Sequence, residues 1–205
     1  MTTTIILANG DFPRKAELLQ ILRQAEHIVC CDGAAEKLLK FGRDPSAVVG
    51  DMDSLSQSLK ERFADKIVVI DEQETNDLTK AVSYCERVGF QKIIIMGATG
   101  IREDHTLGNI SLLVDYSLRI EGICMLTDYG RIDVVRRFTR MNSYPGQQVS
   151  LFAIDPLTIV SVEGLKYPLV RRMLSNWWQG SLNEALESVF EVKPEKGAVL
   201  VYRAH

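Results

Sequence analysis

The sequence predicts an α/β chain in which an N-terminal parallel sheet wrapped by helices is followed by a smaller C-terminal all-β sandwich. Three observations carry this reading. Through about Thr127, short apolar runs alternate with segments of helical period, the pattern of a parallel sheet covered by helices. Beyond Gly130 the helical period fades, and short β-prone runs separated by turn signals take over. The length of 205 residues, with 46% hydrophobic and 25% charged residues, is enough to bury the core of one large or two small domains. The change of pattern at Asp128 to Arg131 divides the chain into residues 1–130 and 131–205.

In order, strands are expected at Thr4 to Ala8, His27 to Cys31, Ala47 to Gly50, Lys66 to Ile70, Lys92 to Met96 and Gly122 to Leu126. Between them, Pro13 fits the first turn of a helix whose apolar face is Leu18, Leu19, Leu22 and Ala25. Ala34, Ala35, Leu38, Leu39 and Phe41 form a second stripe. Leu78, Ala81, Val82 and Cys85 form a third after Asn76 and Asp77, and Leu107, Ile110 and Val114 a fourth after Asp104. In the C-terminal part the β-prone runs are Ile132 to Phe138, Gln148 to Ala153, Thr158 to Val162, Ala185 to Val192 and Ala198 to Tyr202, divided by turns such as Tyr144-Pro145-Gly146.

In an open parallel sheet, ligands bind beyond the carboxyl ends of the strands. The residues there form a consistent set: Asn9, Gly10 and Asp11; Asp32 and Gly33; Asp51 and Asp53; Asp77; Gly97, Gly100, Arg102, Asp104 and His105; Thr127 and Asp128. Asp and Gly also serve turns and helix caps, which covers several of these positions singly. Asp51-Met52-Asp53 demands more, since two carboxylates at a strand end repel unless a cation or a donor holds them. Magnesium bridging a nucleotide's phosphates would do so, being bound through one or two carboxylates plus phosphate oxygens. In Gly97 to His105, two glycines allow close backbone approach to a ligand and a helix N-terminus offers N–H groups to phosphate. Arg102 adds a positive fork, and His105 and Asn109, four apart, share a helix face. The segment is neither a Walker A loop nor a GxGxxG turn.

Taken together, Asp32-Gly33-Ala34, Gly50-Asp51-Met52-Asp53-Ser54, Thr75-Asn76-Asp77-Leu78-Thr79-Lys80, Gly97 to His105 and Gly164-Leu165-Lys166-Tyr167-Pro168-Leu169 closely resemble the thiamin pyrophosphokinase family in order and spacing. The resemblance implies transfer of pyrophosphate from ATP to the hydroxyl of thiamin, giving thiamin diphosphate and AMP. It also implies an ATP-binding α/β domain, a β-sandwich domain for thiamin binding and dimerisation, and a homodimer whose thiamin sites draw on both chains. By motif position, Asp51, Asp53 and Asp77 would stand around magnesium and the ATP phosphates. Nucleotide contacts would fall on Asp32, Gly33, Gly97, Gly100, Arg102, His105, Asn109 and Thr127. Thiamin contacts would fall on Asp104, His105, Trp177, Trp178, Ser181 and Asn183, with Arg102 and Asp104 also among the catalytic residues. Asp53, Asp77 and Asp104 are all open as acceptors of the thiamin proton.

The chain departs from the family pattern in three places. Ile101 stands where a glycine often precedes the arginine, Asn76 replaces the threonine before the acidic residue, and Ser181-Leu182-Asn183-Glu184 replaces a Ser-Asn pair. Trp177 and Trp178, if on a strand, point to opposite faces, one to the core and one to a flat ligand.

Composition limits the other classes. With 24 Lys+Arg against 27 Asp+Glu and no basic run, a nucleic-acid partner is not expected. No run approaches a membrane span, and Ile5 to Ala8 is too short for a signal-peptide core, so the expected location is cytoplasmic. Cys30, Cys31, Cys85 and Cys124 sit in apolar runs without CxxC spacing, the pattern of buried reduced thiols. The competing readings are a DxD metal-dependent phosphohydrolase or nucleotide-sugar transferase and a nucleotide-binding module without catalysis.

Overall fold

The computed structural model describes residues 3–205 and divides at residue 128 into two compact units. In the first, strands β1 (Thr4–Leu7), β2 (His27–Cys31), β3 (Ala47–Gly50), β4 (Ile67–Val69), β5 (Ile93–Met96) and β6 (Cys124–Thr127) form a parallel array in the order β6-β5-β1-β2-β3-β4. All six expected strands are present, shifted at their ends by at most two residues. Chain order reverses between β1 and β5. A crevice is therefore expected beyond the carboxyl ends of these two strands.

The helices are α1 (Ala16–Gln24), α2 (Ala34–Lys40), α3 (Gln57–Arg62), α4 (Asp77–Val88) and α5 (Glu103–Arg119). α4 has the clearest local cause. Asn76 caps it by accepting from the Thr79 N–H at 2.9 Å, and Gly89 closes it at φ +82. It buries Leu78, Ala81, Val82 and Cys85 as the period predicts, but Lys80 is buried with them. α1 begins later than Pro13 suggests. Its entry is set by Asp128, whose carboxylate accepts from the Arg14 and Lys15 N–H groups at 2.9 and 3.0 Å. α5 faces the core through Leu113 and Tyr116, while Leu107 of the expected stripe is 52% exposed. α3 is a short helix additional to the four expected apolar stripes.

The second unit is a β-sandwich. One antiparallel sheet has the order β12 (Asn183–Glu184), β9 (Gln148–Ala153), β14 (Val199–Ala204), β7 (Gly130–Val135); the other has β11 (Leu169–Met173), β10 (Ile159–Glu163), β13 (Val189–Lys196), β8 (Thr139–Asn142). Inward residues of both sheets, among them Val149, Leu151, Val160, Val162, Phe190, Val192 and Val201, build one core. β8, β11 and the two-residue β12 are additional to the expected runs. The run Ala185 to Val192 divides, with Ala185 bridging to Leu165 and the strand starting at Val189. Trp177 and Trp178 are not on a strand: Trp177–Gly180 is a 3-10 turn, closed by a reciprocal cap between Asn176 and Gln179.

All four cysteines are buried thiols, outside any disulfide among the described residues. Burial pushes the Cys30 and Cys31 thiols far up and that of Cys85 to about 12, so these three are packing residues rather than nucleophiles. Among the described residues no helix is long and apolar enough to cross a membrane.

Candidate active site

The first unit holds a cavity of about 430 Å³ at the carboxyl ends of its strands. The loop after β1 supplies Ala8, Asn9 and Gly10; the turn after β3 supplies Asp51 and Ser54. Residues leading into α4 supply Gln73, Thr75, Asn76, Asp77 and Lys80, and the segment from β5 into α5 supplies Ala98, Gly100, Ile101, Arg102, His105 and Asn109. Of the expected site residues, Asp51, Asp77, Gly100, Arg102, His105 and Asn109 thus line one cavity. Asp32, Gly33, Asp53, Gly97, Asp104 and Thr127 are not part of the lining.

The carboxylates sit close together by backbone design. Met52 is buried at φ +68, so the chain turns sharply between the two aspartates. Asp51 Oδ1 accepts from the Asp53 N–H at 3.1 Å, which supplies locally the donor that the pair requires. Asp32 lies behind this turn, 2% exposed; its Oδ2 accepts from the Ser54 N–H at 2.8 Å, while its buried Oδ1 has no hydrogen-bond partner. Asp77 stands at the start of α4. Burial raises its affinity for a proton, Lys80 opposes that, and Asp51 and Asp32 add to it.

Lys80 is the residue that sequence reasoning missed. Its side chain is 3% exposed, its Nζ lies 3.6 Å from Asp77 Oδ1, and it lines the cavity. The available signal was the i, i+3 spacing from Asp77, one step from the apolar stripe of α4.

In the segment leading into α5, Arg102 Nε donates to Asp104 Oδ1 at 3.0 Å, and a second guanidinium nitrogen bonds Asp104 Oδ2. This pairing, with the His105 N–H donating to Asp104 Oδ1 at 2.8 Å, holds the Asp104 carboxyl down at about 2. So acidic a carboxyl is a poor proton acceptor, and its two oxygens hold the Arg102 fork in place. Burial, with Asp51 and Asp32 nearby, strengthens Asp77 as a proton acceptor.

Gly97 of this loop answers a close approach of backbone. A Cβ on Gly97 would stand 2.6 Å from the Ala8 carbonyl oxygen, and Gly97 lies outside the lining. Ile101 adopts φ +63 in the left-handed region, 68% exposed, where a β-branched side chain is strained. That is the conformation a glycine would hold without cost. Relief of about 1–2 kcal/mol of strain, less about 0.4–1 for the looser unfolded chain, should leave Ile101→Gly more stable by about 0.5–1 kcal/mol. The urea midpoint checks this; an unchanged or lower midpoint would show that the loop carries no strain at Ile101.

The expected thiamin contacts Trp177, Trp178, Ser181 and Asn183 belong to the second unit. Trp177 is anchored, its Nε1 donating to the Ala153 carbonyl at 3.0 Å and its ring tilted against Phe152. Trp178 is 72% exposed. Ser181 Oγ donates to the Trp178 carbonyl at 2.8 Å. Asn183 is 6% exposed; its Oδ1 accepts from the Tyr167 and Glu184 N–H groups and its Nδ2 donates to the Tyr167 carbonyl. Its amide is committed to holding the Gly164 to Tyr167 loop.

Comparison with known proteins matches this architecture in two pieces. The family model for the thiamin pyrophosphokinase catalytic domain covers residues 18–124, and that for the thiamin pyrophosphokinase substrate-binding domain covers residues 133–202. The chain belongs to the thiamin pyrophosphokinase family. Thiamine pyrophosphokinase 1 of Oryza sativa subsp. japonica is 31% identical over 138 residues, 55% of this chain and 52% of that protein. Thiamine pyrophosphokinase 2 of Arabidopsis thaliana is 28% identical over 196 residues, covering 80% and 72%. Over its best-matching segments the chain thus spans about half the length of the first of these relatives. The crystal structure of thiamin pyrophosphokinase from Geobacillus thermodenitrificans superimposes with a TM-score of 0.81 at 23% identity, over 100% of this chain and 98% of that one, a likeness of fold.

Proposed function

We propose that the chain transfers the pyrophosphoryl group of ATP to the hydroxyl of thiamin, yielding thiamin diphosphate and AMP. The observation that carries this reading is the cavity of the first unit. It gathers Asp51, Asp77 and Arg102, with Lys80 buried beside Asp77, at the switch point of a parallel sheet in a member of this family. In the reaction the bond between the β-phosphorus and the oxygen bridging to the α-phosphate breaks. A bond forms from the thiamin hydroxyl oxygen to the β-phosphorus, and the hydroxyl proton leaves.

Such a transfer depends on positioning and on neutralising phosphate charge, with little covalent work for the protein. Arg102, oriented by Asp104, and Lys80, oriented by Asp77, supply two fixed cations. Asp77 is the residue suited to take the proton if it is free of metal. Among the described residues no three Asp, Glu, His or Cys side chains form a ready metal site, so Asp51, Asp53 and Asp77 do not make a preformed cage. The clustered carboxylates of Asp51 and Asp77, with the unpartnered Oδ1 of Asp32 behind them, suit instead an ion that takes one or two carboxylates and fills its shell with phosphate oxygens. Magnesium held so would withdraw charge from the transferring phosphates. The second unit would receive thiamin, with Trp178 as the open ring for stacking on the flat cation, and the homodimer would complete each thiamin site.

The test is to incubate the purified chain with magnesium, ATP and thiamin and separate the products. Thiamin diphosphate and AMP in equal amounts are expected. Release of ADP or free phosphate without thiamin diphosphate would favour the phosphohydrolase reading, and no turnover would favour a binding module.

A further inference from the structure

The first turn of α4 carries Asp77 and Lys80, and the loop after β5 carries Gly100 and Arg102. Two asparagines join these segments, and the directions of both amides are fixed from outside. Asn76 Oδ1 accepts from the Thr79 N–H at 2.9 Å and the Thr79 hydroxyl at 2.8 Å. A backbone N–H can only donate, so this atom is the oxygen, and Asn76 Nδ2 faces Asn109 Oδ1 at 3.1 Å. Asn109 Nδ2 then donates to the Ala98 carbonyl, which can only accept, at 2.8 Å. Donors therefore run one way along the chain, from Asn109 to Ala98, from Asn76 to Asn109, and from Thr79 to Asn76. Flipping either amide sets like against like at both ends.

We propose that Asn76 and Asn109 are positioning residues that lock the acidic and basic groups of α4 to the Gly97 to Arg102 loop. The catalytic part of this proposal rests on the pyrophosphoryl-transfer reading above. Capping α4 does not require asparagine. A threonine, which the family pattern carries at this position, supplies an acceptor for the Thr79 N–H, but its single Oγ, one bond nearer the backbone than the amide nitrogen, does not hold that cap and reach Asn109 Oδ1 as well. The amide does both, so this chain makes a link that the threonine version cannot. Asn109, expected from the resemblance to contact the nucleotide, has both ends of its amide engaged inside the protein. It acts through Ala98 and Asn76, and its presence in the cavity wall follows from the tie.

Asn76→Asp keeps the cap acceptor and removes the donor, and Asn76→Thr keeps the cap with a side chain too short to reach Asn109 as well; Asn109→Asp sets a carboxylate oxygen against the Ala98 carbonyl. Each should lower kcat for thiamin diphosphate formation about tenfold through small misplacement, with KM for thiamin within about twofold. The double variant Asn76→Thr with Asn109→Asp should lose no more than the worse single one, because both break one link. For Asn76→Thr, retained kcat, or losses that multiply in the double variant, would overturn the proposal, as would a fall in melting temperature with unchanged kcat per folded molecule. Hydrogen exchange tests the link without catalysis. Amides of residues 97–102 should exchange about tenfold faster in Asn76→Thr, while those of the second unit do not change. Unchanged exchange in that loop would overturn the link even in an active enzyme. A parent chain that makes no thiamin diphosphate would overturn the functional reading and the catalytic part with it, while the exchange result still decides whether the tie exists.

Discussion

Lys80→Met is expected to slow thiamin diphosphate formation by two to three orders of magnitude, about the loss seen when one fixed electrostatic stabiliser is removed, while leaving the fold within about 1 kcal/mol of the parent. The expectation comes from the unequal burial of the pair. The Lys80 side chain is 3% exposed, whereas that of Asp77 is 39% exposed. Methionine fills the lysine's buried course with apolar atoms of similar length, and Asp77, now unpaired, still has water. Asp77→Ala is the opposite case. It takes away the carboxylate 3.6 Å from an ammonium whose side chain is 3% exposed, and an uncompensated buried charge costs about 3–5 kcal/mol. Both variants should be nearly inactive, but only Asp77→Ala should show a large drop in its denaturation midpoint. Near-parental turnover in Lys80→Met would remove the ammonium from the chemistry. Equal destabilisation of the two would show that the burial asymmetry does not govern the pair.

What the sequence revealed, and what it hid, follow the same physics. The six parallel strands are short, apolar and separated by helical periods, so their order and their carboxyl ends could be read directly. Asp51, Asp77, Gly100, Arg102, His105 and Asn109 met in one cavity because the strand-end rule needs only the strand positions. Lys80 did not follow from that rule. A lysine beside an apolar stripe reads as a solvated edge, and only the folded helix shows its whole stem inside with its ammonium turned to Asp77. Leu107 misled for the converse reason: α5 turns that face outward and packs through Leu113 and Tyr116. The adjacent tryptophans suggested a strand, but the Asn176 to Gln179 cap winds them into a 3-10 turn, where the alternation of a strand does not apply. The Asn76 to Asn109 tie joins residues 33 apart in sequence, beyond the reach of any local pattern.

Gly97→Ala should cost about 2–4 kcal/mol and abolish activity, and the reason separates backbone crowding from backbone conformation. The loops after β1 and β5 continue the ladder beyond the strands: the Ala8 N–H donates to the Met96 carbonyl at 2.8 Å, Gly10 to Gly97 at 2.6 Å and Asp11 to Thr99 at 2.8 Å. A Cβ on Gly97 would lie 2.6 Å from the Ala8 carbonyl oxygen, and one on Gly10 would lie 2.4 Å from the Thr99 oxygen and 2.5 Å from that of Gly97. These are backbone atoms and cannot swing aside, so the two loops must part. Parting them displaces Asn9, Gly10, Ala98 and Gly100, all in the cavity wall. Gly97 also has φ +66, which by itself penalises alanine. Gly89 provides the control: its φ is +82, and an added Cβ there meets nothing within 4 Å. Gly89→Ala should therefore show the conformational cost alone, about 1–2 kcal/mol, with the site undisturbed. Gly10→Ala, with no positive φ, should show the crowding cost alone, about 1–3 kcal/mol. If Gly97→Ala were no more destabilising than Gly89→Ala, the close approach of the two loops would not be what excludes a side chain there. The opening between β1 and β5 would then have to be held by the side chains around it.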